Sequence, residues 1–277
     1  MSNPLQRYFR QPAIYIKLPS DGKFYTPQSL EITANREFPV FPMTAMDEIS
    51  MRTADGLFNG QSVVNVIKSC VPNILDPWQM PEIDMDTVLV AIRIASYGSD
   101  MDISTVCPAC EAEGSYSVNL HTIMDNFKQP DFDSTIVDGD LEFYFKPISY
   151  QQRNENSIAQ FEDQKLVQAI PDADIPEEEK LKLINQAFYK LGKLSMDSMA
   201  ESIAAIKADG DLVTDQEYIK DFVQNCKSKT YNAIRDHMSE IRKDQQVQPL
   251  HITCDECQHQ YETPFILDQA NFFVLNS

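Results

Sequence analysis

Cys107-Pro-Ala-Cys110 and Cys254-Asp-Glu-Cys257 hold four of the chain's six cysteines, and their spacing decides how everything between them is read. A gap of two residues lets the backbone fold back so that both sulfurs point at one ion. With Zn–S bonds of about 2.3 Å, each pair then spans one edge of a tetrahedron. Two such pairs close a four-thiolate shell with no open position, which is the pattern of a structural zinc site. The spacing therefore predicts Cys107, Cys110, Cys254 and Cys257 as ligands of a structural Zn²⁺. Two disulfides, a redox-active pair, or four cysteines without metal are the competing readings. Disulfides fit poorly, because no signal peptide is expected before the first apolar residues, and Cys70 and Cys226 stand as isolated thiols in helical patterns. A thioredoxin-like role needs one pair in a βαβ context, which the flanking sequence lacks.

Each pair is followed by an alternating run: Tyr116, Val118 and Leu120 after the first, and Tyr261, Phe265 and Leu267 after the second. Even spacing places side chains on one face of a strand, so each pair reads as the turn of a β-hairpin. Together they form the two halves of a zinc ribbon. Between Cys110 and Cys254 lie 143 residues, too many for one loop, so a folded insertion is expected. The expected fold class is α+β in four parts. Residues 1–100 form an N-terminal β/α region, and 101–148 the first half of the ribbon with a following strand. Residues 149–246 form a large helical insertion, and 247–277 the second half of the ribbon and the C-terminus.

Strand character is expected over Ala13 to Leu18 and Leu30 to Thr33, and extended chain over Phe38 to Pro42. Thr44 is placed to cap a helix, and Val63, Val64, Ile67 and Val71 mark the next one. Asp84 or Asp86 is expected to cap a strongly apolar helix that Gly98 ends. Leu141 to Lys146 alternates as a strand. In the insertion, Leu181, Ile184, Phe188 and Leu191 are expected to form a buried helix side. Met196, Met199, Ile203 and Ile206 continue at helical spacing to Asp209-Gly210, and one long helix is expected from Thr214 to beyond Ile241. The run Phe265 to Leu275, with Phe272 and Phe273, is expected to be ribbon core or a partner anchor.

The chain carries 42 acids against 23 bases, a net charge of −19, which works against phosphate-backbone binding and excludes nucleic acid as the expected partner. No run approaches the roughly 20 apolar residues of a membrane span. Residues 1–29 are locally basic, with Arg7, Arg10, Lys17 and Lys23 against Asp21, and a basic arm on an acidic body suits docking on an acidic neighbour, including a second copy.

No catalytic signature is present: no phosphate-binding glycine loop, no Gly-x-Ser-x-Gly, no His-Glu-x-x-His, and eight glycines in all. His121, His237, His251 and His259 are scattered, and His259 beside Cys257 is at most a stand-in for a thiolate. A non-enzyme is expected.

Several phrases carry a resemblance. Lys17-Leu-Pro-Ser-Asp-Gly-Lys-Phe-Tyr25, Phe38-Pro-Val-Phe-Pro-Met-Thr-Ala-Met-Asp-Glu48, Leu57-Phe-Asn-Gly-Gln61 with Cys70-Val-Pro72, and Ala91-Ile-Arg-Ile-Ala-Ser-Tyr-Gly98 running into Cys107 resemble, in order, the base plate proteins of T4-like bacteriophages. The resemblance implies a non-catalytic tail protein in the virion baseplate. It would be a structural subunit of the baseplate hub, or a hub assembly chaperone that acts in the host cytoplasm and is absent from the mature virion. Implied partners are other hub or tail proteins, the tape-measure protein among them. A cytosolic zinc-ribbon adaptor of another complex is the remaining alternative.

Overall fold

The computed structural model describes residues 4–5, 8–52, 60–127, 130–170, 175–243 and 249–265. The chain divides into two compact units, one of residues 1–129 with 244–277 and the other of residues 130–243.

In the first unit, β1 (Ile14–Ile16) and β2 (Phe38–Val40) pair antiparallel, Ile14 opposite Val40. Helix α1 (Ala45–Met51) starts at a capping box: Thr44 accepts from the Asp47 N–H, and Asp47 accepts from the Thr44 N–H at 2.7 Å. Arg10 secures the same corner. Its guanidinium donates to the Pro42 carbonyl at 2.6 Å, to Asp47 at 3.3 Å and to the Ser69 carbonyl at 2.7 Å. Ser69 lies on α2 (Gln61–Cys70), so one side chain of the expected basic arm is committed within its own unit. Arg7 lies outside the described residues.

Helix α3 (Glu82–Tyr97) is the core element: Val88 to Ile92 are all buried, and it packs on α2 and β2, whose Val63, Val64, Ile67 and Phe38 are buried too. Each such aliphatic side chain contributes about 1.5–3 kcal/mol on burial. Gly98 ends the helix as expected, but Asp84 does not begin it. Pro81 occupies the cap position, which places Asp84 inside the first turn and points its carboxylate at the preceding loop. There it accepts from the Ser20 N–H at 2.8 Å, the Ser20 hydroxyl at 2.6 Å and the Tyr25 hydroxyl at 3.0 Å. Leu30 to Thr33 is not a strand either: Leu30 makes one isolated bridge, to Ile74. Beyond α3 come β3 (Asp100–Val106), β4 (Glu113–Asn119) and the short α4 (Leu120–Asp125).

The second unit is mixed. Strands β5 (Ile136–Asp138), β6 (Leu141–Phe145), β7 (Ile203–Ala208) and β8 (Asp211–Val213) form an antiparallel sheet in that order. Helices α5 (Tyr150–Ala169) and α6 (Glu177–Glu201) connect β6 to β7, and α7 (Gln216–Asn225) and α8 (Ser228–Lys243) follow β8. The expected helical continuation through Ile203 and Ile206 is therefore a strand. Asp209 (φ 52°) and Gly210 (φ 93°) form the two-residue left-handed turn of a hairpin, with Ala208 opposite Asp211. The single long helix expected after Thr214 is two helices, broken where Cys226 takes an extended ψ of 164°. The break lets both apolar stripes be buried, Ile219 and Val223 on α7 and Ile234, Met238 and Ile241 on α8. Phe143 of β6 meets Phe222 at a ring separation of 5.9 Å, and Phe145 meets His237 at 4.8 Å. On α6 the expected buried side is wrong in two positions. Ala187, Met199 and Ala200 are buried, whereas Leu181 and Phe188 are exposed.

The first unit is completed by β9 (Leu250–Thr253) and β10 (Gln260–Thr263). Phe265 is buried, and the rest of the apolar run to Leu275 lies outside the described residues.

Candidate metal centre

The hairpins β3–β4 and β9–β10 present the same loop twice. Val106 pairs with Glu113 and Thr253 with Gln260, so each hairpin closes one residue before its first cysteine in the same register. In the first loop the Cys107 N–H donates to the Ala112 carbonyl and the Glu111 N–H to the Cys107 carbonyl, both at 2.9 Å. In the second the Cys254 N–H donates to the His259 carbonyl and the Gln258 N–H to the Cys254 carbonyl, again both at 2.9 Å. Glu111 (φ 58°) and Gln258 (φ 59°) turn left-handed at equivalent positions. This tight turn directs N–H groups at sulfur: Ala109 and Cys110 donate to Cys107, Ala112 to Cys110, and His259 to Cys257.

The two loops face each other. Cys107 Sγ lies 3.7 Å from Cys257 Sγ, Cys110 Sγ lies 3.7 Å from Cys254 Sγ, and all four sulfurs fall within 4.8 Å of one another. The edge of a tetrahedron with 2.3 Å metal–sulfur bonds is about 3.8 Å, so the donor set fits a four-coordinate metal ion. A disulfide needs about 2.0 Å, and all four cysteines are free thiols. Cys107 and Cys254 are buried, while Cys110 and Cys257 face solvent. The His259 ring stacks near Tyr261 at 6.4 Å, and it is the His259 backbone that serves the loop.

The electrostatics suit a cation. Burial raises the Cys107 thiol, but the N–H groups of Ala109 and Cys110 and the neighbouring thiols outweigh it and bring the group down to about 7. For Cys110 the Ala112 N–H pulls downward, yet sharing protons with Cys257, Cys254 and Cys107 pushes it up to about 12.

Tyr116 joins the halves, a role the cysteine spacing gives no sign of. Its ring lies over Gly114, where a Cβ would come within 2.6 Å of the Tyr116 hydroxyl, and that hydroxyl accepts the Asp255 N–H of the opposite loop. Burial first, and the adjacent Tyr261 second, push Tyr116 up to about 12, so it stays protonated. The alternation Tyr116, Val118 is the one sequence signal that bears on it. Cys70 and Cys226 lie apart from the cluster, Cys70 pushed up to about 12 by burial and by Asp47.

Fold and site together define an α+β scaffold whose four converging thiols can hold a metal ion. The match that places this scaffold is to the family described as T4 bacteriophage base plate protein, over residues 14–274, nearly the whole chain. The chain belongs to that family, which gives it a place in the tail baseplate of the virion among other tail proteins. Comparison with curated proteins and with solved structures yields no significant match. Among the described residues, no helix is long and apolar enough to cross a membrane.

Proposed function

We propose that the chain is a non-catalytic structural subunit of the baseplate hub, acting through protein–protein contacts on a scaffold held by one structural Zn²⁺. Cys107, Cys110, Cys254 and Cys257 would hold the ion, which supplies a cross-link and no chemistry. The observation that carries the reading is the four-sulfur cluster in a chain of the base plate family: a closed thiolate shell suits a redox-inert ion that staples distant segments. The partners proposed are hub and tail proteins, the tape-measure protein included.

Exposed Leu181, Phe188 and Tyr189 on α6 favour a second reading, a chaperone that covers a tail protein during hub assembly and then leaves. Quantitative mass spectrometry of purified mature particles and of tail-assembly intermediates separates the two. A fixed copy number in mature particles supports the hub subunit. Presence in intermediates alone supports the chaperone, and absence from both overturns each.

A further inference from the structure

Helix α6 carries a face that its own unit does not cover. Leu181, Phe188 and Tyr189 are exposed by 61%, 60% and 75%. With Asn185 and Gly192 between and beyond them they recur at three- and four-residue steps, so they share one side of the helix. Glu178, Leu181, Lys182, Asn185, Gln186 and Tyr189 form one continuous open surface along this side.

Gly192 is an independent sign. It stands well inside a 25-residue helix, where glycine costs about 1 kcal/mol relative to alanine, and a Cβ there would meet nothing within 4 Å. Among the described residues nothing accounts for its small size. A glycine on an exposed helical face is what permits another backbone to approach closely.

The charges along the face identify the occupant. Glu177, Glu178 and Glu179 crowd the first turn, and from Lys180 to Met196 the helix has four lysines and no acid. Glu178 and Lys193 thus bracket the apolar stripe with opposite signs. Turned about a two-fold axis through Asn185, such a helix complements itself. Leu181 meets Tyr189 of the second copy, and Glu178 meets the Gly192–Lys193 step, where the missing side chain leaves room.

We propose that this face of α6 is a homodimer interface in which two copies of the chain pair their α6 helices antiparallel about Asn185. The pairing is independent of the metal and of the hub assignment. A single pair of helices is a small interface, so association is concentration-dependent.

Sedimentation velocity of the full-length chain from micromolar to submillimolar concentration, at low salt, tests it. The wild type is expected to move from monomer to dimer. Glu178→Lys and Lys193→Glu are each expected to weaken dimerisation by about tenfold or more, and the double reversal to restore it, because like charges then become opposite again. Gly192→Ala is expected to raise the melting temperature while weakening the dimer. All three positions are exposed, so circular dichroism should show the fold intact. A wild type that stays monomeric throughout, or single reversals without effect, or a double reversal that fails to rescue, each overturns the antiparallel pairing.

Discussion

Cys107 and Cys257 stand 150 positions apart in the chain, yet their sulfurs are 3.7 Å apart, each in one of two loops that repeat the same hydrogen bonds. Short sequence spacing builds each loop, and the approach of the loops builds the cluster.

The first prediction concerns the metal. Freshly purified, reduced protein should contain one zinc per chain, and cobalt in its place should give the intense sulfur-to-metal absorption of a tetrahedral thiolate site. Cys254→Ser should lose the ion and melt at a markedly lower temperature, since binding and folding are coupled. Zinc well below one per chain under reducing conditions would refute the assignment.

A second prediction follows from Tyr116. Tyr116→Phe removes the acceptor of the Asp255 N–H, and Gly114→Ala drives a methyl group into the Tyr116 hydroxyl. Both should release zinc to a chelator faster than wild type while leaving the second unit's helical circular dichroism unchanged. Equal release rates would show that the tyrosine does not hold the two loops together.

Asp84 yields a pH dependence. Burial raises its carboxyl from an ordinary 3.8 to about 6, although Ser20 and Tyr25 donate to it and pull the other way. Between those values the folded chain binds the proton more tightly than the unfolded chain. The contribution is full below about pH 4 and is lost as pH rises through about 6, with an upper bound of about 3 kcal/mol. Asp84→Asn should flatten this trend in urea titrations from pH 4 to 7. A constant difference between the two proteins across that range would contradict it.

Arg10 should be structural. Its fork joins the Pro42 carbonyl, Asp47 and the Ser69 carbonyl, so Arg10→Ala should cost about 2 kcal/mol in chemical denaturation. Arg10→Lys should recover only part of this, because one ammonium does not reproduce the planar fork. Full recovery by lysine would mean that charge alone matters.

What could be read from the sequence was what local rules determine. The cysteine gaps, the Thr44 cap and the Val88–Ile92 core each depend on neighbours within a few residues. Ile203 and Ile206 were misread because their spacing suits a helix continued from Met199. Asp209-Gly210 serves equally as a helix stop or a hairpin turn. The decision rests with Phe143 and Tyr144, which pair with Ile206 and Ala205 from some sixty residues upstream, beyond any local window. Leu181 and Phe188 failed for another reason: periodicity locates an apolar stripe without saying what covers it. Tyr116 escaped because its partner is a backbone N–H in the other half of the site.

The separation of 144 positions from Cys110 to Cys254 also imposes a timetable. At roughly 5–20 residues per second, a ribosome takes about 7–30 s to reach the second cysteine pair after making the first. Throughout that interval the first loop would offer the proposed ion two thiols and no more. A chain whose synthesis stops before Cys257 lacks the closing half of the cluster, so capture of the proposed ion would mark synthesis past that residue.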